Sequence, residues 1–376
     1  MTSSIPVAGS WNSGANPTTN SAGGASCNGG LTGKYDGGGG VVGGGGDAES
    51  YVSAGLLSAS SPDRLAPACC CPLAVAIPLY SRAAAPAFLA SNPFLHRGYR
   101  VSLSYRDCVR SMFVWTNETL NIWTHLLGFL YFAGHLVYCN AYVLPAQPGT
   151  TFYDHVVISA FLMCAMTTML LSALYHTFGC HSEAVFRFWL RLDLCGIMLS
   201  TWATYFVGFF YGFYCFAIWQ TVYCGMLILL TPAIAAFVLR PSFLADKRHR
   251  ARTCAFALVI FISILPLSHW ILLNDGFSHP DVQLFVQDVV IQWLILGAGV
   301  TVFAFKIPEK LWPGSVDYVG ASHQLWHCLV FLALAHWHRT GLVVMQHRLG
   351  VPCSAALSPG LLPAATANGA LLSAVQ

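Results

Sequence analysis

Charge is what this sequence has least of. Only 9% of its 376 residues are Asp, Glu, Lys or Arg, and 56% are hydrophobic; a soluble globular chain carries about 25% charged residues. With a mean hydropathy of +0.59, the chain is excluded from the water-soluble class. The formal net charge is only +3, and the basic residues report membrane topology, leaving no nucleic-acid partner to infer. The N-terminus, MTSSIPVAGS, lacks a basic region followed by an apolar core, so no cleaved signal peptide is expected. A disulfide framework is also missing. There are fourteen cysteines, but most fall in apolar runs or on the side expected to be cytosolic, where thiols stay reduced. A bridge among Cys139, Cys215 and Cys353 is left open.

What is present is unevenly placed. Residues 1–92 are rich in Gly, Ser, Ala and Pro, as in GGASCNGG and DGGGGVVGGGG. They cannot bury enough apolar surface to offset their ordering entropy and read as a disordered tail. PLAVAIPLY is too short and too interrupted by Pro to span a bilayer, which takes about 20 residues. Cys69, Cys70 and Cys71 in this tail read equally as palmitoylation sites or as a plain cluster. From Thr119 onward seven apolar runs follow, at about 119–143, 153–176, 187–211, 214–238, 253–273, 283–305 and 318–341, each near spanning length. Pro232 and Pro266 read as kinks, because neighbouring helices can re-satisfy the freed carbonyls. The stretch SLSYRDCVRSMFVWTNET, which mixes Arg with Met, Phe and Trp, reads as a helix lying in the membrane interface. The expected fold is an all-α membrane protein, a seven-transmembrane helix bundle over 93–348 followed by a short tail, 349–376.

Orientation follows from Lys and Arg. With the N-terminus in the cytosol, sixteen of the eighteen basic residues lie inside: Lys34, Arg64, Arg82, Arg97, Arg100, Arg106, Arg110, Arg187, Arg191, Arg240, Lys247, Arg248, Arg250, Arg252, Lys306 and Lys310. The three outer loops have none, and only Arg339 and Arg348 remain on the far side, as the positive-inside rule requires. The C-terminus is then luminal or extracellular, opposite to a G-protein-coupled receptor. The sequon at Asn117 falls on the cytosolic side and is expected to be unused.

This topology brings a set of ionisable residues to one depth. His176 lies near the cytosolic end of run two, Asp193 near the start of run three, and His323 and His327 at the start of run seven. Ionisable groups at membrane depth are costly and usually mark a site. His323 and His327 are i, i+4 and share a helical face. With His176 they supply three nitrogen ligands for Zn2+ and leave a fourth position open. Asp193 and Ser172, four residues before His176, would orient water or a substrate carbonyl. Gln324 stands where a zincin helix needs its Glu, so Asp193 is the only base available. Other polar residues carry ordinary readings: His135 and His269 as interhelical hydrogen-bonders, His336 and His338 as interfacial, His181 as solvated, and Asp288 as the cap of a sixth helix starting at Val289.

NETLNIWTHLLG, SALYHTFGCHSE with LDLCGI, and IPEKLWPGSVDYVGASHQLWH together resemble the progestin and adipoQ receptor family, over about residues 94–350 and in that family's order. GYRVSLSYRDCVRSMF, FYGFYCFAIWQTVY and VVMQHRLGVPC resemble its Raf kinase trapping to Golgi branch. The resemblance implies a zinc site on His176, His323 and His327 with Asp193 and Ser172 around it. It also implies a Golgi-membrane anchor that sequesters Raf kinase and damps MAP-kinase signalling. The alternatives it implies are a zinc-dependent lipid amide hydrolase acting on ceramide and an adipokine or steroid receptor, the latter at the plasma membrane. The outer loops are short and uncharged, which offers a protein hormone little surface. Residues 1–92 carry none of these family motifs, and such a cytosolic tail is where a kinase-docking surface could lie.

Overall fold

The computed structural model describes residues 77–240, 249–351 and 353. Seven helices long and apolar enough to cross a membrane run through them: Thr119–Ala146, Phe152–Phe178, Glu183–Gly212, Ala217–Ala236, Thr253–Leu273, Pro280–Phe305 and Ser322–Gly350; they are numbered span 1 to span 7 below. Side chains such as Leu127, Val137, Ile218, Leu229, Leu272 and Leu294 stand exposed on the outside of the bundle. In water that surface would be a liability; in a bilayer it is the lipid-facing coat. Phe132, Phe161, Leu162, Met169, Tyr211, Trp270, Phe285, Trp337 and Met345 pack between the helices as one core.

Several local readings are refined. The interfacial segment forms only two turns, Tyr105–Ser111, started by the Ser104 hydroxyl, which accepts from the Asp107 N–H. Cys108 and Ser111 face the bundle, while Tyr105, Val109, Phe113 and Trp115 are exposed, as suits an interfacial element. Span 1 leaves α-helical winding at Cys139 for one π turn, Cys139–Val143. Span 4 runs unbroken through Pro232. Span 5 breaks at Ser263 into His249–Ile262 and Ile264–Leu273: Pro266, with no N–H to give, sits in the first turn of the second piece, where that donor is dispensable. Span 6 begins at Pro280 behind the cap His279, so Asp288 is a mid-helix residue and not a cap. Span 7 extends to Gly350, and His338 is buried within it and not interfacial.

Of the stretch read as a tail, residues 1–76 lie outside the described residues, as do Cys69 to Cys71. Residues 77–92 fold as turns, with Tyr80 bridged to Tyr99 and Ala90 buried. At the opposite end of the bundle a disulfide joins Cys215, between spans 3 and 4, to Cys353 beyond span 7. Cys139 stays a free, buried thiol.

Candidate metal centre

Three imidazoles meet where span 1 begins, span 2 ends and span 7 begins. The Nε2 atoms of His176 and His323 are 3.2 Å apart, and the ring centre of His327 lies 4.8 Å from that of His176 and 4.7 Å from that of His323. The three residues offer one ligand atom each, all mutually within 4.8 Å. Zinc–nitrogen bonds of about 2.0–2.1 Å in a tetrahedron put neighbouring nitrogens roughly 3.3 Å apart, so the His176–His323 separation fits an ion between them.

The tautomers fit as well. His176 Nδ1 donates to the Glu118 carboxylate at 2.7 Å, and His327 Nδ1 donates to the Asn121 carbonyl at 3.1 Å. A carbonyl and a carboxylate can only accept, so Nδ1 carries the proton and Nε2 keeps its lone pair for a metal. This carboxylate–histidine arrangement fixes ring orientation at zinc sites generally. Glu118 also accepts from Asn121 Nδ2 at 2.7 Å. Burial alone would raise its carboxyl, but His176, Arg100 and Asn121 outweigh burial and hold it down at about 2.

The frame around the histidines is built from buried charges. Arg100 is buried and donates to the His176 carbonyl, the Thr177 carbonyl and the Ser111 hydroxyl. It thereby clamps the last turn of span 2, where orphan carbonyls favour a cation. Glu309, fully buried, accepts from the Ser322 N–H at 2.8 Å and from Asn92 Nδ2 at 3.0 Å. A carboxylate at that position caps span 7 one residue before His323. Gln324 accepts from the Gly320 N–H at 2.7 Å and donates to the Tyr318 carbonyl at 3.0 Å. Its amide is engaged in capping its own helix.

Asp193 and Ser172 reach the same place. The Asp193 carboxylate lies within reach of the Ser172 hydroxyl, and both face the same cavity as His176. Span 3 gets there because Gly196 allows close approach: a Cβ on it would stand 3.1 Å from Thr168 Cα, and Thr168 Oγ1 donates to the Gly196 carbonyl at 2.7 Å. Small residues and hydroxyls at such crossings are the usual glue between membrane helices. All five residues expected from the sequence therefore line one cavity of about 1460 Å³, whose walls beyond the polar end include Phe209, Phe213, Trp270, Phe285 and Trp337. A drug-sized ligand needs only about 300–1,000 Å³.

Sequence reading missed three residues here. Glu118 and Asn121 set the tautomers, and His125 stacks on His327 with ring centres 3.8 Å apart, buried, with neither ring nitrogen hydrogen-bonded. Asn121 and His125, four residues apart, share one face of span 1, a polar pair in an apolar run that would have pointed to them; Glu118, at the residue before the helix, carries no such mark. The bland readings held at His269, whose Nδ1 pairs with the Tyr223 hydroxyl at 2.9 Å. His181 packs its ring on Tyr105 and is not freely solvated.

A family profile described as Haemolysin-III related matches residues 113–338. The chain belongs to the haemolysin-III related, progestin and adipoQ receptor family. It is 38% identical to progestin and adipoQ receptor family member 3 of Mus musculus over 278 residues, covering 74% of this chain and 89% of that protein. It is 30% identical to the adiponectin receptor protein of Drosophila melanogaster over 73% of this chain and 61% of that one. Identity is also 30% with heptahelical transmembrane protein 1 of Arabidopsis thaliana, over 71% of this chain and 81% of that relative. These relatives span plants, flies and mammals, and the matched region contains every residue of the histidine centre.

Proposed function

We propose that the chain holds one Zn2+ on His176, His323 and His327 and hydrolyses the amide of a long-chain acyl lipid of the ceramide class. The observation that carries this reading is the coincidence of the three converging imidazoles with the polar end of an apolar cavity large enough for an acyl chain. Held by these three imidazoles, zinc would supply Lewis-acid polarisation of a carbonyl and would lower the pKa of an attacking water toward neutrality. Asp193 takes the proton of the attacking water and passes it to the departing amine. Ser172 donates to the substrate carbonyl, and the aromatic walls hold the acyl chain out of water. The products are a fatty acid and the free amine. Purified protein with its metal content measured should release fatty acid from labelled ceramide, and Asp193→Asn should abolish release with the metal retained. Protein carrying one zinc per chain and releasing nothing would overturn the hydrolase reading and leave the metal centre standing.

The orientation belongs to the same proposal. Lys and Arg favour a cytosolic N-terminus, and the disulfide at the opposite end of the bundle suits an oxidising lumen or exterior. The Cys108 and Cys180 thiols, 3.5 Å apart and unlinked, suit a reducing cytosol at the histidine end.

A second reading is favoured by the 38% identity to family member 3 and by the flanking motifs shared with the Raf-trapping branch. In it the protein is a Golgi-membrane anchor whose cytosolic face sequesters Raf kinase and restrains MAP-kinase signalling, with anionic lipid headgroups attracted to the same basic face. The two readings use different surfaces and are compatible. Co-precipitation of the cytosolic segments with Raf kinase tests the second; no enrichment over an unrelated seven-helix protein would sink it.

A further inference from the structure

We propose that His135, Cys139 and His338 form a second metal site, separate from the histidine centre, for a thiophilic ion with a filled d shell, zinc first by ligand chemistry. His135 and Cys139 are i, i+4 on span 1, and His338 faces them from span 7. One ligand atom from each lies within 4.8 Å of the others. Cys139 Sγ is 3.6 Å from His338 Nε2. Zinc–sulfur and zinc–nitrogen bonds of about 2.3 and 2.0–2.1 Å give a tetrahedral edge of roughly 3.6 Å, so this pair already stands at the separation an ion would impose. The rings of His135 and His338 meet edge to face, 5.3 Å between centres.

Three further observations converge on the site. Cys139 is fully buried and His338 is nearly so, a thiol and an imidazole paired with one another deep in the bundle, and an imidazole at that depth is a costly group that usually marks a site. Cys139 is also the residue at which span 1 switches to a π turn, a device that re-aims side chains and recurs at functional sites. The thiol is free although Cys215 and Cys353 are bridged to one another. His338 follows His327 by eleven residues, about 16 Å along the helix and within a few tens of degrees of the same face, so the two sites are distinct stations on span 7. Two imidazoles and a thiolate suit zinc or monovalent copper and disfavour magnesium and calcium. The fourth position is left to water or an exogenous donor, approached past the half-buried His135.

The test is elemental analysis of the full-length protein, purified without chelators and checked for monodispersity. Two metal equivalents are expected, with Cys139→Ser and His338→Ala each removing one, and His323→Ala removing the other. Cobalt substitution reads the ligand directly: a sulfur-to-cobalt charge-transfer band should appear, survive His323→Ala and vanish in Cys139→Ser, a change of one atom that spares the packing. Copper in this position instead of zinc upholds the site and assigns its ion. One equivalent in the wild type, lost in His323→Ala and untouched by Cys139→Ser, with no charge-transfer band, overturns the second site without touching the first.

Discussion

Replacing Glu118 by Gln should weaken zinc binding by roughly 10- to 100-fold, the range for a partner that orients a ligating histidine, or about 1.4–2.7 kcal/mol. The size follows from what the substitution changes. Shape is kept, so the amide oxygen of the variant can still accept from His176 Nδ1 at the place where Glu118 does so at 2.7 Å. The negative charge that makes the imidazole a stronger donor is lost. The assay is competition against chelators of graded affinity in detergent, with metal per chain read by mass spectrometry. His176→Ala should lose the ion outright and Asp107→Asn, whose carboxylate pairs with Ser104 and Arg110 on the interfacial helix, should do nothing. The pH behaviour adds a sign. A carboxyl held down to about 2 contributes fully above the ordinary carboxylate range and loses its contribution only as pH falls through about 2. Between pH 8 and 6 the difference between wild type and Glu118→Gln should therefore be constant. Affinity within twofold of wild type in Glu118→Gln would refute the argument that this carboxylate prepares His176.

Three other perturbations follow from the frame. Gln324→Glu would set a carboxylate against the Tyr318 and Asn117 carbonyls that the amide now serves; it should cost about 1–3 kcal/mol, read as a fall in melting temperature, and any gain in hydrolysis would contradict the capping role. Gly196→Leu should force spans 2 and 3 apart at Thr168, at about 1–3 kcal/mol for overpacking. It should lower fatty-acid release while zinc content stays, because it displaces Asp193 and no ligand; loss of the metal instead would refute this division. Cys215→Ser removes a crosslink closing 138 residues and should cost about 2–4 kcal/mol; a variant melting with oxidised wild type, under conditions where reductant leaves both unchanged, would show the bridge to be idle.

Much of this was legible in the sequence for a plain reason. A spanning helix must supply about 20 apolar residues in a row, and nothing else in a chain looks like that. The histidine centre was legible at one remove: Lys and Arg set the direction of each span, direction set depth, and depth put His176, Asp193, His323 and His327 together before any coordinate did. The roles of Glu118 and Arg100 were not legible. Glu118 stands one residue outside span 1, where an acid reads as a solvated flank, and its partner lies 58 residues away. Arg100 counted only as one more cytosolic charge, yet it ends buried against carbonyls of span 2. At membrane-helix ends the same residue types serve topology and architecture, and only tertiary structure separates the two.

His338 marks a different limit. Beside Trp337 and Arg339 it reads as part of an interfacial belt, and a helix of ordinary spanning length starting near residue 318 would indeed end there. Span 7 instead starts at Ser322 and continues to Gly350, 29 residues or about 44 Å at 1.5 Å per residue, well beyond the roughly 30 Å hydrocarbon core. Length therefore does not fix where this helix leaves the membrane, and the aromatic residue offers no independent mark: Trp337 donates inward to the Thr204 carbonyl at 2.9 Å. Once the helix is carried past it, His338 turns from a surface residue into a buried one facing Cys139. His323 and His338 are about 22 Å apart along the helix, so both levels fit within the hydrocarbon core, and the continuation of span 7 to Gly350 is what keeps His338 away from the helix end.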